Sequence, residues 1–194
     1  MTLTPPQFQF ETFPILETPR LILREIVRAD ASSILRIRGD AEVTRYNTGA
    51  PYQNLDDAIA LIDDMALLYR QKRELRWGIT LKGVDGLTHG VIGMCGYNYW
   101  VQADHRASIG YDLARAFWRD GIMTEALRAM LGFGFTQMSL NRIEADVAVE
   151  NTASIKLLRK LGFRKEGLQR EQFFEDGLYH DLLLFGLLRR EYAG

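Results

Sequence analysis

The chain has 194 residues, 47% hydrophobic and 25% charged, with a formal net charge of −1 and a single cysteine. Disorder needs low hydrophobicity and high net charge, and a disulfide framework needs paired cysteines, so both are excluded. The apolar stretch 182–188 is far shorter than the roughly 18 residues of a spanning helix, and a near-neutral charge gives no global pull toward nucleic acid or an anionic membrane.

Residues 1–17 carry Pro5, Pro6 and Pro14 and no clear period. They predict an irregular arm ahead of a single domain over 18–194. The first basic residue is Arg20, so no secretory leader is expected and the expected location is the cytoplasm. Residues 20–26 predict a first strand. Asp30 stands where a side-chain oxygen caps a helix running to about Arg38. Gly49, Pro51 and the asparagines predict a loop over 47–54. Leu55, Ile59, Ile62, Ala66 and Tyr69 recur at spacings of four and three, which predicts a helix over 55–73 with that face buried.

Residues 77–81, 90–99 and 106–113 predict three strands, with a turn at 83–86. Helical period returns over 121–138, with Leu127, Met130, Leu131, Gly134 and Met138 on one side. A strand over 142–149, a helix over 151–161 ending at Gly162, and two strands over 164–174 and 179–188 complete the chain. A turn at 175–177 joins the last two. Seven strands and four helices in this order predict one mixed α/β domain.

Several motifs lead nowhere. Gly132-Phe-Gly134 opens like a dinucleotide fingerprint, but it lacks the third glycine and falls inside a helix. His89, His105 and His180 have no ligand spacing, so no metal site is expected. Cys95 lies in an apolar strand without the basic helix start that activates a thiol, which predicts inert packing.

Two stretches carry chemistry. At 111–127 a strand gives way to a helix starting near Gly121. Free amides and the helix dipole make such a start an anion site. Gly121 permits close approach, and Arg119 offers forked donors. Arg119, Asp120, Gly121, Ile122, Met123 and Thr124 could therefore cradle a pyrophosphate, or form an ordinary helix start. At 142–163 Asn151 and Ser154 stand where a strand meets a helix, and plain capping accounts for them equally well.

The order and spacing of Thr18-Pro-Arg-Leu-Ile-Leu-Arg, Ile109-Gly-Tyr-Asp-Leu, Trp118-Arg-Asp-Gly-Ile-Met-Thr-Glu-Ala-Leu, Arg142-Ile-Glu-Ala, Asn151-Thr-Ala-Ser, Leu161-Gly-Phe, Glu166-Gly and Asp176-Gly-Leu-Tyr-His-Asp resemble the Gcn5-related N-acetyltransferases (GNAT), RimJ/RimL-like branch. The resemblance runs over nearly the whole chain from Thr18. It implies the GNAT acyl-CoA acyltransferase fold: a mixed, mostly antiparallel seven-stranded sheet with about four helices and a splayed parallel strand pair. The splayed strands would be those at 106–113 and 142–149.

The resemblance implies acetyl-CoA as co-substrate, with its pantetheine arm along the backbone of Tyr111, Leu113 and Ala114 and its pyrophosphate on 119–124. The family's phosphate loop reads Gln/Arg-x-x-Gly-x-Gly/Ala; here Trp118 replaces its first residue and Met123 its last small one. It implies direct acetyl transfer to a primary amine, such as the N-terminal amine of a ribosomal protein. Enzymes for small amines or antibiotics, enzymes using a bulkier acyl group, and a non-catalytic acyl-CoA-binding module remain alternatives. A homodimer is compatible with it.

Acyl transfer makes three demands. The amine must lose a proton, since an alkylammonium titrates near 10.4. The carbonyl oxygen needs a donor as it gains charge, and a strand amide near 111–113 is the candidate. The leaving thiolate needs a hydrogen bond or a proton. The helix 151–161 lacks the tyrosine that many family members use there; the RimL-like resemblance implies that the serine of its Asn-x-x-Ser, matched by Ser154, serves as general acid or thiolate donor, with Asn151 holding the pantetheine or positioning that group. The resemblance implies two candidate bases: Asp146 matches a strand position that holds the catalytic carboxylate in some relatives, and Glu171 lies near the position of a RimL-like glutamate whose aligned residue here is Phe173, two residues along the same strand face. Bulk water is a third acceptor for the proton, because holding the reactants together supplies much of the rate. Glu125 is read as favouring the helix dipole. Tyr46, Tyr52, Tyr97, Tyr99, Trp100, Phe173, Phe174 and Tyr179 could wall the acceptor site or simply pack the sheet.

Overall fold

The alternation of side chains along each strand assigns residues to one of two sheet faces, and the helices follow from that. The structure is a computed structural model that describes residues 8–47, 49–83, 90–175 and 177–193. His89, Asp176 and most of the turn read at 83–86 lie outside the described residues. The strands are β1 (Leu16–Glu17), β2 (Leu21–Arg24), β3 (Leu75–Leu81), β4 (Gly93–Val101), β5 (Arg106–Leu113), β6 (Arg142–Ala148), β7 (Arg164–Glu175) and β8 (Leu178–Leu188). They form one sheet in the order β1-β2-β3-β4-β5-β6-β8-β7. All neighbours run antiparallel except β5 and β6, which are parallel.

Successive residues of β4 show how the sheet divides the core. Met94 turns toward α1 (Ala31–Arg38) and α3 (Leu55–Arg70), joining Ile34, Ile37, Ala58 and Ile62. Cys95 turns the other way, toward α4 (Ile122–Thr136) and α5 (Thr152–Lys160), joining Leu127, Met130 and Leu158. Two apolar layers therefore flank one sheet. Cys95 is 1% exposed, and burial pushes its thiol up to about 12, so it is an inert packing residue.

The described residues hold eight strands and five helices, one more of each than the sequence pattern predicts. The extra strand is β1, at the end of the stretch read as an irregular arm; Leu16 and Glu17 pair with Leu23 and Ile22 across a tight turn. Two residues are too few to show a period. The extra helix is α2 (Ala41–Thr44), a single turn capped by Asp40, whose side chain accepts from the Glu42 amide at 3.0 Å.

Asp30 does not cap α1 through its side chain. Its carboxylate accepts from the Val27 amide at 2.9 Å and pairs with Arg24 at 2.8 Å, closing the turn before the helix instead. The buried stripe of α3 is Ala58, Ile62 and Met65, while Leu55 is 48% exposed. Small Ala58 lies where α3 meets the layer around α1, which rotates the predicted face. Of the two glycines of α4, Gly134 has a packing cause: a Cβ there would collide with the Tyr97 hydroxyl, which donates to the Met130 carbonyl at 2.8 Å.

The parallel pair positions the site. β5 and β6 pair only at Arg106↔Arg142, Ala107↔Ile143 and Ser108↔Glu144. Beyond that point β5 continues to Leu113 and β6 to Ala148 without pairing. The strands splay as expected, leaving two facing backbone edges inside the protein.

Candidate active site

The first part of the site is the connection from β5 to α4. Gly121 has φ +74° and stands at the helix N-cap with no side-chain bond to the first turn. Arg119 is also left-handed, at φ +69°. The Glu125 amide bonds the Gly121 carbonyl at 3.0 Å, which leaves the amides of Ile122, Met123 and Thr124 without helical acceptors. Free amides, a glycine without Cβ and the positive end of a helix dipole suit a phosphate group.

A cavity of about 610 Å³ runs from this helix start into the splay. Tyr111, Leu113, Arg119, Gly121, Ile122, Met123, Thr124, Asn151 and Ser154 all line it. Two other residues expected there do not. The Ala114 amide is spent on the Ile92 carbonyl at 2.9 Å, and the Asp120 carbonyl accepts from Arg20 at 3.0 Å. Hydrogen-bonded pairs alternate along an antiparallel ladder. With Ala114 bonded to Ile92, the residue just ahead of β4, the backbone groups of Tyr111 and Leu113 turn away from β4 into the gap. The Leu113 carbonyl accepts from the Trp118 indole at 2.7 Å. Trp118, a departure from the family's loop pattern, thus closes the loop onto the strand.

The second part is the start of α5. The Asn151 side chain accepts from the Ser154 amide at 3.1 Å, so Asn151 is a true N-cap. That bond fixes the first turn, and the Ser154 hydroxyl meets the Tyr111 hydroxyl at 2.7 Å. Burial pushes the Tyr111 phenol up to about 12, only partly opposed by the bond to Ser154. Sequence reading assigned Tyr111 a backbone role alone. Its side-chain role depends on a contact between residues 43 positions apart, which no local spacing reveals.

The third part lies beyond this pair. A second cavity of about 440 Å³ shares Tyr46, Asn47, Tyr111, Asp112, Asn151 and Ser154 with the first. The Tyr111–Ser154 pair therefore stands at the junction of two chambers. Asp146 lines the second. Partial burial and the neighbouring Glu144 charge raise its carboxyl above the ordinary range. Asp112 lines both, but its oxygens are occupied: Arg38 donates at 3.0 Å and Asn47 at 2.8 Å.

Glu171 lines neither chamber. A register shift between Gln169 and Phe173 breaks the two-residue face relation on which its placement rested. Glu171 sits in that irregularity at φ +51°, its amide bonded to Asp181 at 2.8 Å. Phe173 does line the second chamber, with Tyr46. The other aromatics have different duties. Tyr97 is buried, Trp100 stacks on Phe10, Tyr52 lies under Arg38, and Tyr99, Phe174 and Tyr179 are exposed. No cluster of metal-ligating side chains occurs among the described residues.

Comparison with known proteins agrees with this geometry. Residues 20–164 match the model of the acetyltransferase (GNAT) domain. The uncharacterized N-acetyltransferase p20 of Bacillus licheniformis is 42% identical over 182 residues, covering 92% of this chain and 98% of p20. RimJ of Mycobacterium smegmatis, solved with a CoA disulfide, superposes with a TM-score of 0.82 at 28% identity, covering 98% of this chain and 93% of that one. RimL, described as a ribosomal L7/L12 alpha-N-protein acetyltransferase and solved with coenzyme A, shares the fold at a TM-score of 0.81 and 20% identity, over 90% of this chain and 98% of its own.

The chain belongs to the GNAT acetyltransferase family. It is an N-acetyltransferase, and acetyl-CoA is its acyl donor. The donor set fits that co-substrate: free amides and Arg119 suit the pyrophosphate, and the Tyr111 backbone with the Leu113 amide, on the stretch of β5 that does not pair with β6, suits the amides of the pantetheine arm.

Proposed function

We propose that this enzyme acetylates the N-terminal amine of a protein, and that its acceptor enters through the second chamber. One observation carries the reading: the chamber beyond Tyr111 and Ser154 holds a carboxylate, Asp146, with no hydrogen bond or ion pair among the described residues. A cationic amine is drawn to it, and it can take the proton the amine must lose before attack.

The lining also favours a peptide over a polyamine. It carries Arg38 and Arg76 beside Asp112 and Asp146, a balanced charge that suits a peptide with a single α-ammonium better than a polyamine with several cations. RimL, which shares the fold, is described as acting on a ribosomal protein, and a ribosomal protein is the acceptor class proposed here.

In this reading Asp146 accepts the amine proton, directly or through one water. The free backbone amides of β5 stabilise the carbonyl oxygen as the carbon–nitrogen bond forms. Ser154 donates a hydrogen bond to sulfur as the carbon–sulfur bond breaks and its electron pair leaves with the thiolate. The thiolate needs no full proton from the protein, since a thiol titrates near 8.5.

Thiol release from acetyl-CoA, followed with N-terminal peptides of ribosomal proteins, spermidine and an aminoglycoside, tests the reading. Turnover confined to peptides with a free α-amine is the expected result. Preference for spermidine or the aminoglycoside would overturn the acceptor class. Binding of acetyl-CoA without turnover on any amine would replace the enzyme by a binding module.

A further inference from the structure

We infer that Tyr111 is a positioning residue that aims the Ser154 hydroxyl hydrogen at the leaving sulfur. The inference rests on the reading that Ser154 faces that sulfur. Its ground is the 2.7 Å contact between the two hydroxyls at the junction of the chambers.

The proton count decides the direction. Each hydroxyl carries one hydrogen. One hydrogen lies between the two oxygens, and the other is free to point elsewhere. A phenol is the stronger donor and an aliphatic hydroxyl oxygen the stronger acceptor, so Tyr111 donates and Ser154 accepts. The Ser154 hydrogen is then the free one. A serine without this partner would turn its hydrogen among several acceptors, including water in either chamber.

The surroundings keep the arrangement fixed. Tyr111 lies on β5 opposite Cys95, within the central sheet. Ser154 is held at the first turn of α5 by the Asn151 cap. Burial pushes the Tyr111 phenol up to about 12, so it stays protonated throughout the neutral range and continues to donate. Neither oxygen gives up its proton in the reaction. The pair supplies an oriented dipole to the sulfur as the electron pair arrives there, a form of preorganised stabilisation.

The test uses the full chain and the peptide with the fastest turnover in the acceptor panel. Tyr111→Phe keeps the ring and removes the donor. Expected is a loss of about 10–100-fold in kcat with KM for acetyl-CoA within about threefold, because the contact acts only on the leaving group. Adding Tyr111→Phe to Ser154→Ala is expected to cost nothing further, since the two act as one unit. Calorimetric binding of CoA by each variant confirms an intact site, and a variant that fails to bind is replaced by ring-fluorinated tyrosine at position 111, whose more acidic phenol ionises at lower pH and then cannot donate, so that kcat should fall with rising pH over a range where wild type is flat. A slow Ser154→Ala with a Tyr111→Phe within twofold of wild type overturns the role of Tyr111 and leaves that of Ser154. Independent, additive losses do the same. An unimpaired Ser154→Ala overturns both.

Discussion

Arg20 and Glu125 are held together at 2.6 Å, joining the strand start at β2 to the first turn of α4. The Arg20 amide and the Thr18 hydroxyl bond the same carboxylate. Burial raises the Glu125 carboxyl, but these bonds outweigh it and hold it below the ordinary range. Arg20 also donates to the Asp120 carbonyl at 3.0 Å, next to Gly121. The Thr18-Pro-Arg segment, far from the phosphate loop in sequence, braces its backbone. Glu125 does more than favour the helix dipole.

Arg20→Ala is accordingly expected to loosen the loop without touching the chemistry. CoA binding by calorimetry should weaken about 5–30-fold, the worth of one or two charge-assisted bonds. The turnover number at saturating acetyl-CoA should stay within about twofold. A large fall in kcat with unchanged CoA affinity would show that the brace acts elsewhere.

Asp146 gives a prediction in pH. Its carboxyl is raised from 3.8 by partial burial first and by Glu144 second. Only the ionised form accepts a proton, so the acidic limb of kcat/KM should lie above the ordinary aspartate range. Removing the Glu144 charge with Glu144→Gln should move that limb to lower pH. Asp146→Asn should remove the limb and cost about 100-fold or more in rate. The stability sign is opposite. A raised carboxyl binds its proton more tightly when folded, so its contribution is greatest below the unfolded value and is lost as pH rises through the folded one. Asp146→Asn should therefore leave the protein at neutral pH slightly more stable, with a rise in Tm under about 4 °C for so accessible a group. A rate within threefold of wild type would assign the proton to bulk water.

Much of this was legible in the sequence. Strong periods located the long strands and helices, and β5 was read to the residue, 106–113. Gly121, Asn151 and Ser154 were legible because backbone needs restrict residue types locally: a left-handed N-cap, a side-chain cap, a first-turn hydroxyl. Contacts across the sheet were not. Tyr111 with Ser154, Arg20 with Asp120 and Arg38 with Asp112 join residues far apart in the chain. The Glu171 reading failed in its geometry for a related reason, because a strand irregularity breaks a period-two count without any signature residue.

Arg38 and Asp112 form a largely buried pair at 3.0 Å, with side chains 18% and 12% exposed. It ties α1 to β5 between the chambers. Arg38→Ala leaves the Asp112 carboxylate with Asn47 alone, and should cost about 2–4 kcal/mol in chemical denaturation. Asp112→Asn added to it should recover part of the loss, because the uncompensated charge is gone. Strictly additive losses would show that the two residues do not act as a pair.

Gly134→Ala should be among the most damaging single-methyl changes in the chain. The new Cβ would occupy the position of the Tyr97 hydroxyl, which is buried and bonded to the Met130 carbonyl. Displacing it combines overpacking with a broken buried bond, together about 3 kcal/mol, or roughly 6–12 °C in Tm. Tyr97→Phe in the same background should restore only part of it, because it removes the hydroxyl but leaves the ring Cζ 2.8 Å from the new Cβ. No recovery at all would place the strain in the helix backbone.

The short ladder between β5 and β6 makes the sheet a hinge-like seam. Its closed end is clamped by charge: Arg106 on β5 reaches Glu144 on β6 at 3.3 Å, and Arg142 joins Glu144 to Glu166 on β7. Tyr111 rides on one leaf and Ser154, through α5, on the other. The clamp is thus part of what holds the spacing of the hydroxyl pair, and screening it with salt is expected to slow turnover before it loosens the hold on CoA.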